Sequence, residues 1–128
     1  GLSVVDTWVA HELEAWVCAF DPRESHRAYS GADDCTFKVW DLRDTQRPAM
    51  CNRKEHTMGV ISIQPHPLVD HCLATGSYDQ NVRIWDTRNL RSPVTSTETG
   101  GGVWRIKWHP TDGSRMLTAC MYGGFAVL

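Results

Sequence analysis

Two short clusters in the sequence combine side chains that could bind a charged ligand. Residues 12–16 carry two carboxylates and an indole, and residues 100–105 carry three glycines, a second indole and an arginine. Aromatic faces together with carboxylates suit a quaternary ammonium group, which is held by cation–π and charge attraction. We therefore expect Glu14, Trp16 and Trp104 to line a ligand site. The alternative, in which both indoles only pack between neighbouring units of the fold, stays open at this point.

The sequence lacks standard signatures of hydrolases and nucleotide-binding proteins. There is no G-x-S-x-G motif, and the pair His11-Glu12 is not followed by a second histidine at the spacing of a zinc protease. The Gly-Gly-Gly run at residues 100–102 does not open a helix, so it predicts a flexible turn and not a phosphate-binding loop. We interpret His66 and His109, each before a proline, as solvated turn residues. We expect no metal and no cofactor.

Composition and charge exclude several classes of protein. The 128 residues carry a net charge of −2, which gives no reason to expect a nucleic acid as partner. No apolar run approaches the roughly 18 residues that a membrane span needs, so no membrane insertion is expected. Five cysteines without a C-x-x-C pair, and no signal peptide, indicate a reducing compartment. We expect a cytoplasmic protein.

An internal repeat organises the chain. Residues 11–48 align with residues 56–93 without a gap and share nine identities in 38 positions. A third, degenerate copy follows, in which residues 103–110 align with residues 60–67. Apolar and polar residues alternate within each copy, which predicts β-strands and not helices. The expected strands lie near residues 14–20, 27–32, 36–41, 48–53, 59–64, 72–77, 81–86, 93–98, 103–108, 115–120 and 125–128.

The repeat resembles the WD40 repeat of β-propellers, because it has a period of about 43–45 residues, a histidine near its start and Trp-Asp near its end. This resemblance implies an all-β fold of four-stranded antiparallel blades, of which the chain would hold just under three. Residues 3–9 would be the last strand of a preceding blade, and the three repeats would occupy residues 11–53, 56–98 and 101–128. Because the chain starts at Gly1 and not at a methionine, we expect residues 1–128 to be a partial arc of a single WD40 propeller domain in a longer protein.

The resemblance also implies a hydrogen-bond network inside each blade, built from one histidine, one hydroxyl residue, one aspartate and one tryptophan. Carried over by position, the two networks are His11, Ser30, Asp34 and Trp40, and His56, Thr75, Asp79 and Trp85. A buried imidazole and carboxylate need paired donors and acceptors, so these residues would stabilise the fold. The third copy departs from the pattern, since Ala119, Gly123 and Leu128 replace the hydroxyl residue, the aspartate and the tryptophan. We expect Trp104 and Trp108 to hold that blade by apolar packing.

Several segments point to one family of WD-repeat proteins. They are residues 11–16 (His-Glu-Leu-Glu-Ala-Trp), residues 56–63 (His-Thr-Met-Gly-Val-Ile-Ser-Ile), residues 100–110 and the degenerate run at residues 119–125. Together they resemble the diphthine methyl ester hydrolases of diphthamide biosynthesis, from about residue 7 to residue 128. The resemblance implies an enzyme that removes a methyl ester from the modified histidine of translation elongation factor 2 and releases methanol. The substrate side chain would carry a trimethylammonium group, which fits the ligand site expected above.

Ester hydrolysis needs a base for the attacking water and donors for the developing oxyanion. On that basis Glu14 would be the base or the partner of the substrate cation. Arg105 would donate to the oxyanion together with the backbone amides of the glycine run, in which Gly101 and Gly102 are the substrate-binding candidates. The resemblance supplies no catalytic motif, so these assignments rest on position alone.

An alternative function is binding without chemistry. Both complete repeats end in W-D-x-R, at residues 40–43 and 85–88. This ending matches the pattern by which many WD proteins are recognised by the adaptor of cullin-4 ubiquitin ligases. On this alternative Arg43 and Arg88 contact the adaptor, and the protein is a scaffold or a substrate receptor. The simpler interpretation, in which each arginine pairs with a nearby aspartate, stays open.

Overall fold

The computed structural model describes all 128 residues, from Gly1 to Leu128, and its regular elements are all β-strands. The strands are β1 (Ala15–Phe20), β2 (Arg27–Ala32), β3 (Phe37–Asp41), β4 (Met50–Asn52), β5 (Val60–Pro65), β6 (Cys72–Ser77), β7 (Asn81–Asp86), β8 (Thr95–Glu98), β9 (Val103–Trp108), β10 (Met116–Cys120) and β11 (Gly124–Val127). The predicted all-β fold class is confirmed. The structure contains no helix that is long and apolar enough to cross a membrane.

The strands form three antiparallel sheets, which are the blades of a partial propeller arc. β1–β4 make the first blade, β5–β8 the second and β9–β11 the third, and neighbours along the chain are neighbours in each sheet. The first strands lie together, with β5 in contact with both β1 and β9. Because strand direction alternates, β1, β5 and β9 all begin at the same end of the arc, which we call the mouth. The turns after these strands lie at the opposite end.

The hydrophobic core lies between the blades, because each sheet buries one face against the next. Tyr29 and Phe37 of the first blade belong to one buried cluster with Val60, Leu73 and Trp85 of the second. A smaller cluster joins the second blade to the third, and it consists of Ala74, Val82, Val103, Ile106 and Met116. The sheets are therefore fixed relative to one another by apolar packing.

Residues 3–9, which were predicted to be the last strand of a preceding blade, form no strand in the structure. A strand needs a neighbouring strand for its backbone groups, and no backbone hydrogen bond joins these residues to another segment. Trp8 still contacts the first blade, since its ring centroid lies 5.6 Å from that of Trp40. The three blades of the structure include none before the first, so the assignment of this segment to a preceding blade stays a prediction.

The third blade keeps a buried threonine that the sequence alignment misplaced. Thr118 pairs with Ile106 across the sheet, as Thr75 pairs with Ile63 in the second blade. Thr118, and not Ala119, is therefore the residue of the third blade that corresponds to Thr75. At this position the third copy aligns with the second at an offset one residue shorter than the sequence alignment gave. The Thr118 side chain is buried, and its hydroxyl lies 3.4 Å from the sulfur of Cys120.

The same shift applies to the turn after β10. The Gly123 amide donates to the Cys120 carbonyl oxygen, as the Gln80 amide donates to that of Ser77 in the second blade. Gly123 therefore corresponds to Gln80, and the residue before it, Tyr122, corresponds to Asp79. The Tyr122 side chain is exposed. Instead of a polar network, the third blade uses Trp108, whose Nε1–H donates to the Gln64 carbonyl oxygen over 3.0 Å. This contact ties the third blade to the second.

Candidate functional site

The first blade contains a complete hydrogen-bond network around His11. The Trp40 Nε1–H donates to Ser30 Oγ over 2.8 Å, and the Ser30 hydroxyl donates to His11 Nε2 over 2.7 Å. The other ring nitrogen, Nδ1, lies 3.0 Å from the Asp34 carboxylate and 3.0 Å from Thr36 Oγ1. His11 and Ser30 are buried, so this pairing avoids the cost of unsatisfied polar groups. These residues stabilise the blade.

The second blade forms only part of the corresponding network. The Trp85 Nε1–H donates to Thr75 Oγ1 over 2.9 Å, and that hydroxyl lies 2.9 Å from His56 Nε2. Asp79 does not bind His56, because its Oδ2 lies 2.8 Å from Arg83 Nη2 in an ion pair. His56 Nδ1 is buried and has no hydrogen-bond partner. The expected link from Asp79 to His56 is wrong, since a guanidinium binds a carboxylate more strongly than a neutral imidazole does.

Burial and charge set the protonation states in these networks. Burial opposes ionisation of Asp34, but hydrogen bonds from Thr36 and from backbone amides lower its pKa to about 2. Burial lowers the pKa of His11, and the negative charge of Asp34 partly opposes that effect. Burial and the positive charge of Arg83 lower the pKa of His56 to about 4. His56 is therefore neutral at neutral pH.

Three aromatic side chains, Trp16, Tyr78 and Trp104, form a continuous row at the mouth, which we call the aromatic row. The ring centroids of Trp16 and Tyr78 are 6.5 Å apart and those of Tyr78 and Trp104 are 5.6 Å apart, both edge-to-face. Trp16 and Trp104 each occupy a β-bulge in the first strand of their blade, and a bulge re-aims its side chain. The row crosses all three blades, yet Trp16 stays 46% exposed.

Tyr78 is the member of the aromatic row that sequence reasoning missed. It follows β6 at the position that Asp33 occupies after β2, and two glycines make room for its ring. A Cβ on Gly59 would lie 3.1 Å from Tyr78 Cδ2, and a Cβ on Gly102 would lie 3.2 Å from Tyr78 Cδ1. The repeat alignment could have indicated this residue, because it aligns Tyr78 with Asp33, each directly before an aspartate of the predicted networks.

The carboxylates of Glu14 and Asp33 at the mouth form no ion pair within the chain. Glu14 is exposed, and its backbone carbonyl accepts the Asp33 amide over 2.9 Å. Asp33 is half-buried and accepts the Trp16 Nε1–H at 3.4 Å. The mouth therefore presents negative charge beside the aromatic row, and ligand binding by Glu14 and Trp16 stays a prediction.

Gly101 and Gly102 are buried, so this part of the connection to β9 is closely packed and is not the flexible turn that the sequence predicted. A Cβ on Gly101 would lie 2.1 Å from the Met121 carbonyl oxygen. Neither glycine amide donates a hydrogen bond within the chain. Arg105 is exposed, and its Nη1 donates to the Trp104 carbonyl oxygen over 2.7 Å. Candidate oxyanion donors thus adjoin the aromatic row, two blades away from Glu14.

His66 is not the solvated turn residue that the sequence predicted, because it is 1% exposed. Its Nδ1 accepts the amides of Leu68 and Val69, so its Nε2–H donates to the Gly113 carbonyl oxygen over 3.0 Å. His109, in contrast, is exposed. The structure contains no group of three or more side chains that could hold a metal ion.

Two arginines occupy equivalent positions at the end opposite the mouth. Arg43 and Arg88 each pair with the aspartate two residues earlier, and the Nη2–Oδ2 distance is 2.7 Å in both pairs. Both arginine side chains are 68% exposed, and both line a groove of about 460 Å³ between the first two blades. Each arginine therefore has a local partner, and the groove is separate from the aromatic row.

The sequence matches one known family over more than half of its length. The WD domain, G-beta repeat family matches residues 2–41 and residues 49–86. The chain belongs to this WD40 family. The matched residues cover most of the first two blades, whereas the match stops before the third blade with its altered network.

This WD40 chain is similar to proteins named diphthine methyltransferase. It is 48% identical to the Mus musculus protein of that name and 47% identical to the Homo sapiens protein, over 99% of the chain in both cases. It is 44% identical over 94% of the chain to the diphthine methyltransferase homolog of Dictyostelium discoideum. The chain spans 26%, 28% and 36% of the lengths of these three relatives, respectively.

A solved structure supports the WD40 fold independently. One chain of the crystal structure of the mitotic checkpoint complex superposes with a TM-score of 0.82 at 19% identity. The alignment covers 96% of this chain and 37% of that chain. At this level of identity the similarity shows the fold alone, which is a partial propeller arc.

Proposed function

We propose that this WD40 chain is part of an enzyme of diphthamide biosynthesis that hydrolyses the methyl ester of methylated diphthine on translation elongation factor 2. The similarity to proteins named diphthine methyltransferase supports a role in that process. The observation that carries the proposal is the aromatic row beside the unpaired carboxylates of Glu14 and Asp33. This arrangement fits a substrate that carries a permanent positive charge.

The reaction adds water across the ester. The water oxygen bonds to the ester carbonyl carbon, the bond from that carbon to the methoxy oxygen breaks, and methanol leaves with a proton. We assign Glu14 to the substrate cation and not to the water, because its carboxylate is exposed and forms no ion pair, whereas the candidate oxyanion donors lie two blades away. The amides of Gly101 and Gly102 and the guanidinium of Arg105 are the donors available to the developing oxyanion.

The direct test is mass spectrometry of the substrate. Full-length protein containing this chain is incubated with elongation factor 2 that carries methylated diphthine, and the modified peptide is weighed together with a methanol assay. Hydrolysis predicts loss of the mass of one CH2 group and release of one methanol for each ester. An intact ester overturns the hydrolase assignment. A gain of one CH2 group on unmethylated diphthine, dependent on a methyl donor, would also overturn it and indicate a methyl transfer instead.

A further inference from the structure

The carboxylate of Asp33 is a half-buried negative charge without a positive partner. The aspartates nearest to it at the mouth are paired, since Asp34 binds His11 and Asp79 binds Arg83. Asp33 has only the Trp16 Nε1–H at 3.4 Å as a side-chain partner. A partly desolvated carboxylate favours a cation nearby, and its attraction for that cation is stronger than it would be in bulk water.

The position of the Asp33 carboxylate is fixed by the next blade. A Cβ on Gly59 would lie 2.6 Å from Asp33 Oδ1 and 3.1 Å from Tyr78 Cδ2, so the carboxylate and the ring both pack against the space that this glycine leaves. The indole of Trp16 contacts both of them, through its Nε1–H to Asp33 and edge-to-face with Tyr78. One charge and two aromatic rings therefore meet at a single point on the mouth.

The chemistry of this point selects a particular class of cation. A lysine or arginine head group needs several hydrogen-bond acceptors, whereas a quaternary ammonium group has no N–H and binds through ring faces and charge attraction. We propose that Asp33, with Trp16 and Tyr78, forms a subsite for a quaternary ammonium group. The inference rests on the proposed function in one respect, which is that the trimethylammonium group of methylated diphthine is its natural occupant.

The subsite can be tested by binding alone, without the reaction. Choline and its neutral carbon isostere, dimethylbutanol, are titrated into the full-length protein, and binding is followed by tryptophan fluorescence and ligand NMR. We expect choline to bind at least about fivefold more tightly than the isostere, because only choline is attracted by the carboxylate. Asp33→Asn keeps the shape and the acceptor for Trp16, and it should reduce this difference to what the cation–π attraction alone supplies.

Tyr78 variants test the aromatic part of the subsite. Tyr78→Phe keeps the ring and should bind choline like the parent protein, whereas Tyr78→Ala should weaken choline binding by about two- to thirtyfold. Glu98→Gln, an exposed acid on the outer strand β8, is the matched control and should change nothing. Tyr78→Phe and Asp33→Asn are nearly isosteric with the parent residues. If Tyr78→Ala alone fails to fold, choline binding by Asp33→Asn still tests the subsite.

The outcomes separate the subsite from the proposed reaction. Choline binding that depends on Asp33 supports the subsite even where the mass-spectrometric assay shows an intact ester. Demethylation without any preference for choline over its isostere overturns the subsite and leaves the hydrolase assignment standing. In the enzyme assay, Asp33→Asn should raise KM for the methylated substrate with little change in kcat, because Asp33 positions the substrate and takes no part in bond breaking.

Discussion

Equivalent aspartates in the first two blades have different partners, and a single residue on the third strand of each blade explains why. Lys38 in β3 donates from Nζ to a backbone carbonyl oxygen over 2.7 Å, which leaves Asp34 available to His11. Arg83 takes the corresponding position in β7 and binds Asp79 with two nitrogen atoms. The planar guanidinium matches a carboxylate in a way that an ammonium group does not. This difference decides which histidine has an acidic partner.

Because Asp79 and Arg83 form a buried ion pair, we expect substitutions of the two residues to have non-additive effects on the free energy of unfolding. Asp79→Ala should lower the free energy of unfolding by about 3–5 kcal/mol, because it leaves the buried Arg83 charge unpaired. Combining it with Arg83→Met should recover most of that loss, since no buried charge remains. Urea unfolding of the intact protein measures both values. A double variant as unstable as Asp79→Ala would show that Asp79 stabilises the blade through another residue.

Because His56 is buried with a lowered pKa, we expect the free energy of unfolding to fall at mildly acidic pH. Its pKa is lowered from about 6.5 in an unfolded chain to about 4 in the folded protein. Between these values the unfolded chain binds more protons, so the free energy of unfolding decreases as pH falls, by up to about 3 kcal/mol in total. Unfolding experiments between pH 6.5 and about 5 should show this slope, and His56→Gln should reduce it. A slope that is identical in His56→Gln would contradict the burial of a neutral imidazole.

At the residue scale, the sequence located the network residues but not all of their contacts. His11 and Asp34 could be found because the resemblance to WD40 repeats implies a hydrogen-bond network at these positions. The partner of Asp79 could not, since competition between Arg83 and His56 depends on distances that the pattern does not contain. Tyr78 was missed for a related reason, because its function as a bridge appears only when neighbouring blades pack together.

At the scale of the strands, glycine on the second strand sets the distance between blades. A Cβ on Gly31 in β2 would lie 2.6 Å from Val60 Cγ1, and a Cβ on Gly76 in β6 would lie 2.6 Å from Val103 Cγ1. Both valines lead the first strand of the next blade. The repeated Gly–Val contact therefore explains why both complete copies carry glycine at this position.

This contact predicts a steric penalty between blades. Gly31→Ala should lower the free energy of unfolding by about 1–3 kcal/mol, because the added methyl group overpacks the boundary between the first two blades. Gly113→Ala is the control, since its Cβ would lie 3.4 Å from the nearest atom, and it should stay within about 0.5 kcal/mol of the parent. Thermal unfolding compares them. Equal effects of the two substitutions would contradict the close Gly–Val packing.

The positions of the strands were predictable from the alternation of apolar and polar residues. The places where the structure differs from that prediction have physical causes. The outer strands β4 and β8 are shorter than predicted, because an outer strand has a hydrogen-bonded neighbour on one side only. The strand at residues 3–9 stays a prediction, since alternation describes a side-chain pattern and the structure contains no neighbouring strand to pair with it. The one-residue error at Thr118 arose because the third copy has few identities to fix its register.

At the scale of the whole molecule, the arc leaves apolar surface exposed at both of its ends. The first blade has a groove of about 440 Å³ lined mainly by apolar side chains, among them Trp8, Trp16 and Phe20. On the third blade, Phe125 is 78% exposed and Val127 is 71% exposed. The partial arc was predictable from the repeat period, whereas the amount of exposed apolar surface required the packed structure.

These surfaces predict that the 128 residues expressed alone will self-associate. Apolar patches of this kind favour contact between copies, so the apparent molecular mass should rise with protein concentration. Sedimentation velocity at several concentrations measures this directly, and salt should strengthen the association because the contacts are apolar. A monomer at every concentration that unfolds in one sharp transition would contradict this prediction.

The central claim is that the mouth, and not the opposite end of the arc, binds the methylated substrate. The decisive measurement is the rate of ester loss from elongation factor 2 carrying methylated diphthine, with full-length variants compared at equal concentration. Glu14→Gln removes a charge and Trp104→Ala removes an aromatic face, so each should lower kcat/KM, the latter by about two- to thirtyfold. Arg43→Ala and Arg88→Ala at the opposite end should leave the rate unchanged. Unchanged demethylation in both mouth variants would contradict the account and place substrate binding outside this part of the propeller.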